Sequence, residues 1–242
     1  RGGPSIEPFV LDNGRLVTWA DVASSQALVE DDLPIPTVTW THEGWTLKVT
    51  AMAEGEPANA RLYGRYDLTN TSRRAKTLTL ALAGRPMQVN GPVQFLAVPG
   101  GASPLTRING DRQQLHLGER TTVRFANAAD RMVGAAFEAG ADPQALIASG
   151  RAGADGRLSV RDASGLAAAA ALYEVTLQPG ETRTFGFVTP LAGDHADALT
   201  TAFDGVQQRL ESEWRRKLDR FDLIVPPQGQ RIEDTMKTSL AH

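Results

Sequence analysis

His42, His116, His195 and His242 are the four side chains that change charge near neutral pH without help from their surroundings. None stands at an H-x-x-x-H spacing, or at a metal-binding spacing from a carboxylate, so no metal site is expected. His42, in a turn, and His195, beside a helix start, suit the surface. His116 falls within a strand, where a half-buried imidazole is expected. Nucleophile chemistry is equally unsupported. The chain has no cysteine and no G-x-S-x-G turn, which removes thiolate catalysis, disulfides, thiolate zinc sites and the serine-nucleophile turn together. Gly153-Ala154-Asp155-Gly156 is glycine-rich, yet it neither follows a strong strand nor opens a helix. It reads as a tight turn rather than a phosphate loop. No catalytic, cofactor-binding or metal-binding residue is assigned, and no cofactor is expected.

Acids are plentiful, among them Asp130, Glu138, Asp142, Asp155, Asp162 and Glu174. Paired carboxylates are what glycoside hydrolysis needs. Glu174 stands out because it lies in an apolar strand beside Tyr173. Pointing outward it is the polar half of an alternation, which is the expected orientation. Pointing inward it would be a functional acid. Trp19, Trp40 and Trp45 are candidate glycan contacts, with Tyr63 and Tyr66 beside them, because an indole matches the C–H face of a sugar ring and its N–H reaches a hydroxyl. Trp40 and Trp45 suit the core or a cross-strand pair at least as well. Asn70-Thr71-Ser72 fits a glycosylation sequon and a turn equally.

Strands must hold most of these residues. Thr37–Trp40 and Trp45–Ala51 flank His42-Glu43-Gly44 as a hairpin. Arg61–Thr69 alternates Leu62, Tyr66 and Leu68 with polar residues. Lys76–Ala83 sets Leu78, Leu80 and Leu82 on one face against Thr77, Thr79 and Ala81 on the other. Further strands are expected at Gln113–Leu117, Thr121–Phe125, Met132–Phe137, Leu172–Leu177 and Thr184–Val188, the last two joined by the turn Gln178-Pro179-Gly180-Glu181. The alanine run 166–172 favours helix by propensity, but Gly165 before it and the alternation of Tyr173, Val175 and Leu177 after it make it a strand entry. Residues 84–110, rich in Gly and Pro, read as a long irregular excursion. Many short strands without intervening helices imply an antiparallel sandwich.

The last fifth differs. Leu199, Phe203, Val206, Leu210, Trp214, Leu218 and Phe221 recur every three or four residues, one face of a helix over Asp197–Asp222 about 26 residues and roughly 40 Å long. Glu211 with Arg215 and Glu213 with Lys217 support it at i,i+4. Ile224-Val225-Pro226-Pro227 breaks it, and Arg231–His242 begins a second helix with nothing to pack against. With Arg1-Gly2-Gly3-Pro4 resembling a linker or cleavage scar, the sequence reads as a piece of a longer protein, any export signal lying upstream. The length of 242 residues allows one large all-β domain or two small ones. A formal charge of -3 with interspersed signs argues against nucleic acid. No apolar stretch approaches the ~20 residues of a membrane span. Abundant alanine and arginine with little lysine fit a GC-rich bacterial source.

Several phrases together resemble a known arrangement. Tyr66-Asp67-Leu68-Thr69-Asn70-Thr71-Ser72 and Leu78-Thr79-Leu80-Ala81-Leu82 resemble the strand-turn-strand of bacterial β-supersandwich domains. Arg85-Pro86-Met87-Gln88-Val89-Asn90-Gly91-Pro92, Pro99-Gly100-Gly101 and Val160-Arg161-Asp162-Ala163-Ser164-Gly165 follow. Then come the run from Tyr173 to Glu181, Pro190-Leu191, Trp214-Arg215-Arg216-Lys217-Leu218 and Ile224-Val225-Pro226-Pro227. This order, over roughly residues 37–242, resembles the region ahead of the α/α-toroid in six-hairpin glycosidase-like proteins. There a galactose-mutarotase-like supersandwich is joined by a helical linker to the catalytic barrel.

The resemblance implies that the acid and its partner carboxylate or phosphate site belong to the toroid, so no catalytic residue is carried over. It implies a mainly β chain, an antiparallel supersandwich followed by a long C-terminal linker α-helix and the start of a second helix. Residues 1–193 would be the supersandwich, 194–225 the linker and 226–242 the start of the toroid. The expected role is the non-catalytic N-terminal region of a carbohydrate-active enzyme. It would support the toroid of the same parent chain and contact an oligo- or polysaccharide, residues 84–110 forming a rim of the cleft. A periplasmic or secreted location is expected. Two alternatives stay open: a stand-alone carbohydrate-binding module, and a mutarotase- or epimerase-like enzyme, for which His116 and Glu174 are the only strand-borne pair.

Overall fold

The computed structural model describes residues 4–86, 88–93, 99–149, 151–152, 156–191, 202–220 and 225–241. Strands β1 (Ser5–Asp12), β2 (Arg15–Val17), β3 (Ala23–Val29), β4 (Leu33–His42), β5 (Trp45–Glu54), β6 (Arg61–Asn70) and β7 (Lys76–Arg85) come first. After them run β8 (Gln88–Val93), β9 (Pro99–Ala102), β10 (Arg107–Gly110), β11 (Gln114–Leu117), β12 (Thr121–Phe125) and β13 (Arg131–Ala135). The short helix α1 (Pro143–Ser149) precedes β14 (Arg151–Ala152), β15 (Leu158–Arg161), β16 (Ala168–Leu177) and β17 (Thr182–Pro190). Helices α2 (Phe203–Leu218) and α3 (Gln230–Ala241) follow.

The strands form a six-stranded sheet, β14-β13-β16-β7-β1-β2, and a nine-stranded sheet, β15-β10-β11-β12-β17-β6-β5-β4-β3. Pairings between named strands are antiparallel in both. The chain is therefore mainly β, two antiparallel sheets packed face to face, as the alternation predicts. Leu47, Leu68, Leu78, Leu80, Leu82, Leu115, Tyr173 and Val175 meet between the sheets in one buried cluster. Each such side chain contributes about 1.5–3 kcal/mol on leaving water.

The outer faces are covered as well. On the six-stranded sheet Ala81, Ala83, Val133, Ala168, Ala170 and Leu172 pack with Leu146 and Ile147 of α1. This explains the alanine run as a strand: Ala169 and Ala171 face the other sheet while Ala168 and Ala170 lie under α1. Burial on both faces outweighs helix propensity. Tight turns close the hairpins. Between β16 and β17 the amide of Glu181 donates to the carbonyl of Gln178 at 2.9 Å, with Gly180 at φ 76°, as a Pro-Gly type II turn requires.

Two expectations need correction. Where a long irregular excursion was expected, the described residues of 84–110 include β8 and β9, paired as a two-stranded sheet, and β10, which joins the nine-stranded sheet. The long helix begins at Phe203 after Ala202 and ends at Leu218, 16 residues, so it spans about 24 Å rather than 40 Å. Leu199, Phe221 and His195 lie outside the described residues. Helix α1 has no counterpart in the sequence reading.

Candidate functional site

The three tryptophans named as glycan contacts occupy different environments. Trp40 is 7% and Trp45 0% exposed, both inside the inter-sheet core. Their alternation with polar residues along β4 and β5 turns them inward, so neither presents a face to a ligand. Tyr63 and Tyr66 are buried too. Trp19 is different, at 74% exposure on a 3-10 turn between β2 and β3. The turn is pinned by a capping box. Thr18 Oγ1 accepts from the amide of Ala20 at 3.2 Å, and Asp21 Oδ2 accepts from the Thr18 amide at 2.9 Å. Arg15 Nη2 lies 3.2 Å from Asp21 Oδ1. The Thr18 amide, then its hydroxyl, hold the Asp21 carboxyl below its usual range. Trp19 is thus an exposed indole on a preorganised turn, flanked by one cation and one anion.

His116 and Glu174 do not meet. On β11, Leu115 and Leu117 enter the core, which turns the half-buried His116 to the outer face of the nine-stranded sheet, with Nδ1 3.1 Å from Thr122 Oγ1. On β16, Tyr173 and Val175 enter the core, so the exposed Glu174 faces outward from the six-stranded sheet. The two therefore lie on opposite outer faces of the sandwich, and the pair that epimerase chemistry needs is not formed. Glu174 has the outward orientation the alternation predicts. Among the described residues no three His, Asp or Glu side chains converge to hold a metal. No described helix is long and apolar enough to cross a membrane.

Two polar clusters escaped the sequence reading. At one end of the sandwich the 8% exposed Asp12 of β1 receives Trp45 Nε1–H at 3.0 Å and lies 2.8 Å from Lys76 Nζ, both at Oδ2. His42 stacks on Trp45 with ring centroids 4.9 Å apart. This cluster ties β1 of one sheet to the β4–β5 hairpin of the other. Nearby, Asn70 is fully buried. Its Nδ2 donates to the carbonyls of Arg74 and Leu177 at 2.8 and 2.9 Å, while Oδ1 accepts from the Ser72 amide and hydroxyl at 2.9 and 2.7 Å. Asn70 is the structural centre of the β6–β7 turn.

The second cluster seats α2 on the outer face of the nine-stranded sheet. Phe203, Val206 and Leu210 pack on Ile35, Met52, Tyr63 and Val188, with Trp214 partly buried at the margin. Phe203 meets Tyr63 edge-on, ring centroids 6.5 Å apart. It can lie that low because position 186 is glycine: a Cβ there would stand 2.4 Å from Phe203 Cζ and from the Gly64 carbonyl oxygen. Three arginine–carboxylate pairs cross the seam. Arg65 on β6 contacts Asp204 and is held by Asp67 at 2.8 Å, Arg209 meets Glu54 at 2.8 Å, and Arg215 meets Glu30. Burial works against the Arg65 charge, yet Asp67 and Asp204 outweigh it and raise its pKa. Exposed pairs contribute only about 0–1 kcal/mol each. The apolar face therefore supplies the docking energy, and the ion pairs fix the helix's angle and register.

A cleft of about 370 Å³ opens beside the first turn of α2, lined by Arg65, Asn127, Thr184, Phe203 and Asp204 among others. Its charges are mutually committed, since Thr184 Oγ1 also donates to Asp67 Oδ1 at 2.6 Å. The signal in sequence was Arg65 and Asp67 alternating with Tyr66 and Leu68, charges on a face that a helix later covers.

No protein-family model matches the chain, and no curated protein does. Among solved structures, one match is described as a kojibiose phosphorylase from human microbiome, at 9% identity and a TM-score of 0.36. The alignment covers 98% of this chain and 27% of that one.

Proposed function

We propose that this chain is the non-catalytic N-terminal supersandwich region of a carbohydrate-active enzyme, with residues 194–225 as linker and 226–242 as the start of a helical catalytic domain. The observation that carries the reading is the seating of α2. A helix fixed by Phe203, Val206 and Leu210 and by three ion pairs delivers the chain to α3, where Ile232 is 61% and Met236 49% exposed. Two apolar side chains one turn apart suit a helix whose neighbours belong to a following domain. The reading also rests on the resemblance of the strand and turn phrases to supersandwich domains that precede α/α-toroids. The β8–β9 pair remains the candidate rim of the substrate cleft. Sequencing the parent gene past the His242 codon tests the reading. A succession of helical hairpins with acidic loops is expected, and an early stop codon would refute it.

A carbohydrate-binding module is the second reading, favoured by Trp19 alone. Titrating this chain with soluble oligosaccharides should then quench indole fluorescence in the wild type and not in Trp19→Ala. Equal response of both proteins would dismiss Trp19 as a platform.

A further inference from the structure

Helix α2 covers only part of the outer face of the nine-stranded sheet. Its seat lies over β4, β5, β6 and β17, through Ile35, Met52, Tyr63 and Val188. Strands β15, β10, β11 and β12 complete the sheet beyond it. On these four, Val160, Ile108, Leu115 and Val123 enter the inter-sheet core, so the residues alternating with them point outward. The registers set four outward residues in one row: Ser159 opposite Asn109, Asn109 opposite His116, and His116 opposite Thr122. With strands about 4.8 Å apart, the row is roughly 14 Å long. Each of the four offers hydrogen-bonding groups and none is an acid.

Two positions along the strands from Asn109 and Ser159, Arg107 stands directly opposite Arg161, both exposed. Like charges so placed, with Cβ atoms about 4.5–5.5 Å apart, repel each other. Under α2, Arg65, Arg209 and Arg215 each meet a carboxylate. Among the described residues Arg107 and Arg161 form no such pair. In a chain of net charge -3 this is segregation rather than composition. Asn109 steadies the pair from one side. Its amide oxygen accepts from Arg107 Nε at 3.2 Å, and its nitrogen donates to Ser159 Oγ at 2.9 Å. The terminal guanidinium nitrogens are left facing solvent. On the other flank of the row, Arg124 lies opposite Gln114 and adds a third cation to the face.

We propose that this face binds an acidic saccharide, a uronate-bearing chain whose carboxylate sits between Arg107 and Arg161 while its hydroxyls bond along the row from Asn109 to Thr122. Its saccharide character rests on the carbohydrate-active reading above, and its charge rests on the arginine pair. A carboxylate accepts paired N–H bonds from the planar guanidinium fork and cancels the repulsion between the two cations. His116 Nδ1 is engaged by Thr122 Oγ1 at 3.1 Å, which leaves Nε2 for a sugar hydroxyl.

Isothermal titration calorimetry at low ionic strength tests this with tetragalacturonate, the neutral cellotetraose and sodium sulfate. The wild type should bind tetragalacturonate at least about tenfold more tightly than either of the others, and added salt should weaken the binding. R107Q/R161Q keeps polar side chains without the charge and should weaken it at least about tenfold. His116→Ala should weaken tetragalacturonate and leave sulfate unchanged, which separates a saccharide site from a bare anion site. Arg107 and Arg161 are exposed, and circular dichroism confirms that each variant is folded. No binding of tetragalacturonate, equal binding of cellotetraose, sulfate binding as tightly, or R107Q/R161Q binding like wild type would each overturn the proposal. Any of these results strikes the acidic ligand alone, because the enzyme reading is tested separately by the parent gene.

Discussion

Phe203→Ala tests the idea that α2 is held by its apolar face. Phe203 is 6% exposed and packs over Gly186 and against Tyr63. Truncating a core phenylalanine costs about 3–5 kcal/mol, transfer and cavity together. Phe203 borders an open cleft, which water can enter to replace part of the lost contact, so the lower end applies, about 3 kcal/mol. The loss should be local, because Phe203 belongs to the helix cluster and not to the inter-sheet core. Hydrogen exchange followed by mass spectrometry reads this directly. Amides of residues 203–218 should exchange about 150-fold faster, the equivalent of about 3 kcal/mol, while β7 and β16 keep their protection. Equal loss in those strands, or a change in α2 below about tenfold, would refute the division of labour between apolar seat and ion pairs.

Other outcomes follow from named contacts. Gly186→Ala should destabilise by about 2–3 kcal/mol in urea denaturation, since one of the two clashes is with backbone that cannot turn away. Asp12→Ala removes the acceptor of a buried Trp45 N–H and the counter-charge of Lys76. Lys76 keeps partial access to water, so a cost of about 2–3 kcal/mol is expected, with Asp12→Asn milder because an oxygen remains for the indole. All three tyrosines of the chain, Tyr63, Tyr66 and Tyr173, are buried, and desolvation raises each phenol above its usual value of 10.0. The stability this carries is complete below pH 10 and is lost as pH rises toward the raised folded values. Absorbance just above pH 10 should therefore show less phenolate in the folded chain than in the unfolded one, with a cooperative rise on unfolding.

Strand identity was legible wherever large apolar residues alternated with small or polar ones. Trp45, Leu47 and Val49 announced β5 by alternating with Thr46 and Lys48, and Leu78, Leu80 and Leu82 announced β7 because its other face carries only the small or polar Thr77, Thr79 and Ala81. The alanines of β16 were harder, since a strand covered on both sides loses alternation and only its flanks disclose it. The apolar spacing of Phe203, Val206 and Leu210 gave the helix and its seat. The expected helix was longer than α2, Phe203–Leu218, because Leu199 and Phe221 continue the apolar period in the sequence. The tryptophans show the limit for the site. Residue type cannot separate Trp19 from Trp45; what separates them is tertiary, since Trp45 lies between the two sheets with its N–H bonded to Asp12, thirty-three positions away in the chain. Charge pairs such as Arg65 with Asp204 are invisible for the same reason, being set by which helix crosses which strand.

Asn70 carries a consequence for anyone producing this chain in a eukaryotic secretory host. Both hydrogens of its amide nitrogen are committed to carbonyls, and the side chain is fully enclosed. An oligosaccharyltransferase can reach the Asn70-Thr71-Ser72 sequon only before the β6–β7 turn closes. A glycan attached there then blocks closure, because the modified nitrogen has no room and one hydrogen fewer. The glycosylated fraction would count the molecules intercepted before they folded, making this asparagine a built-in clock on the race between modification and folding.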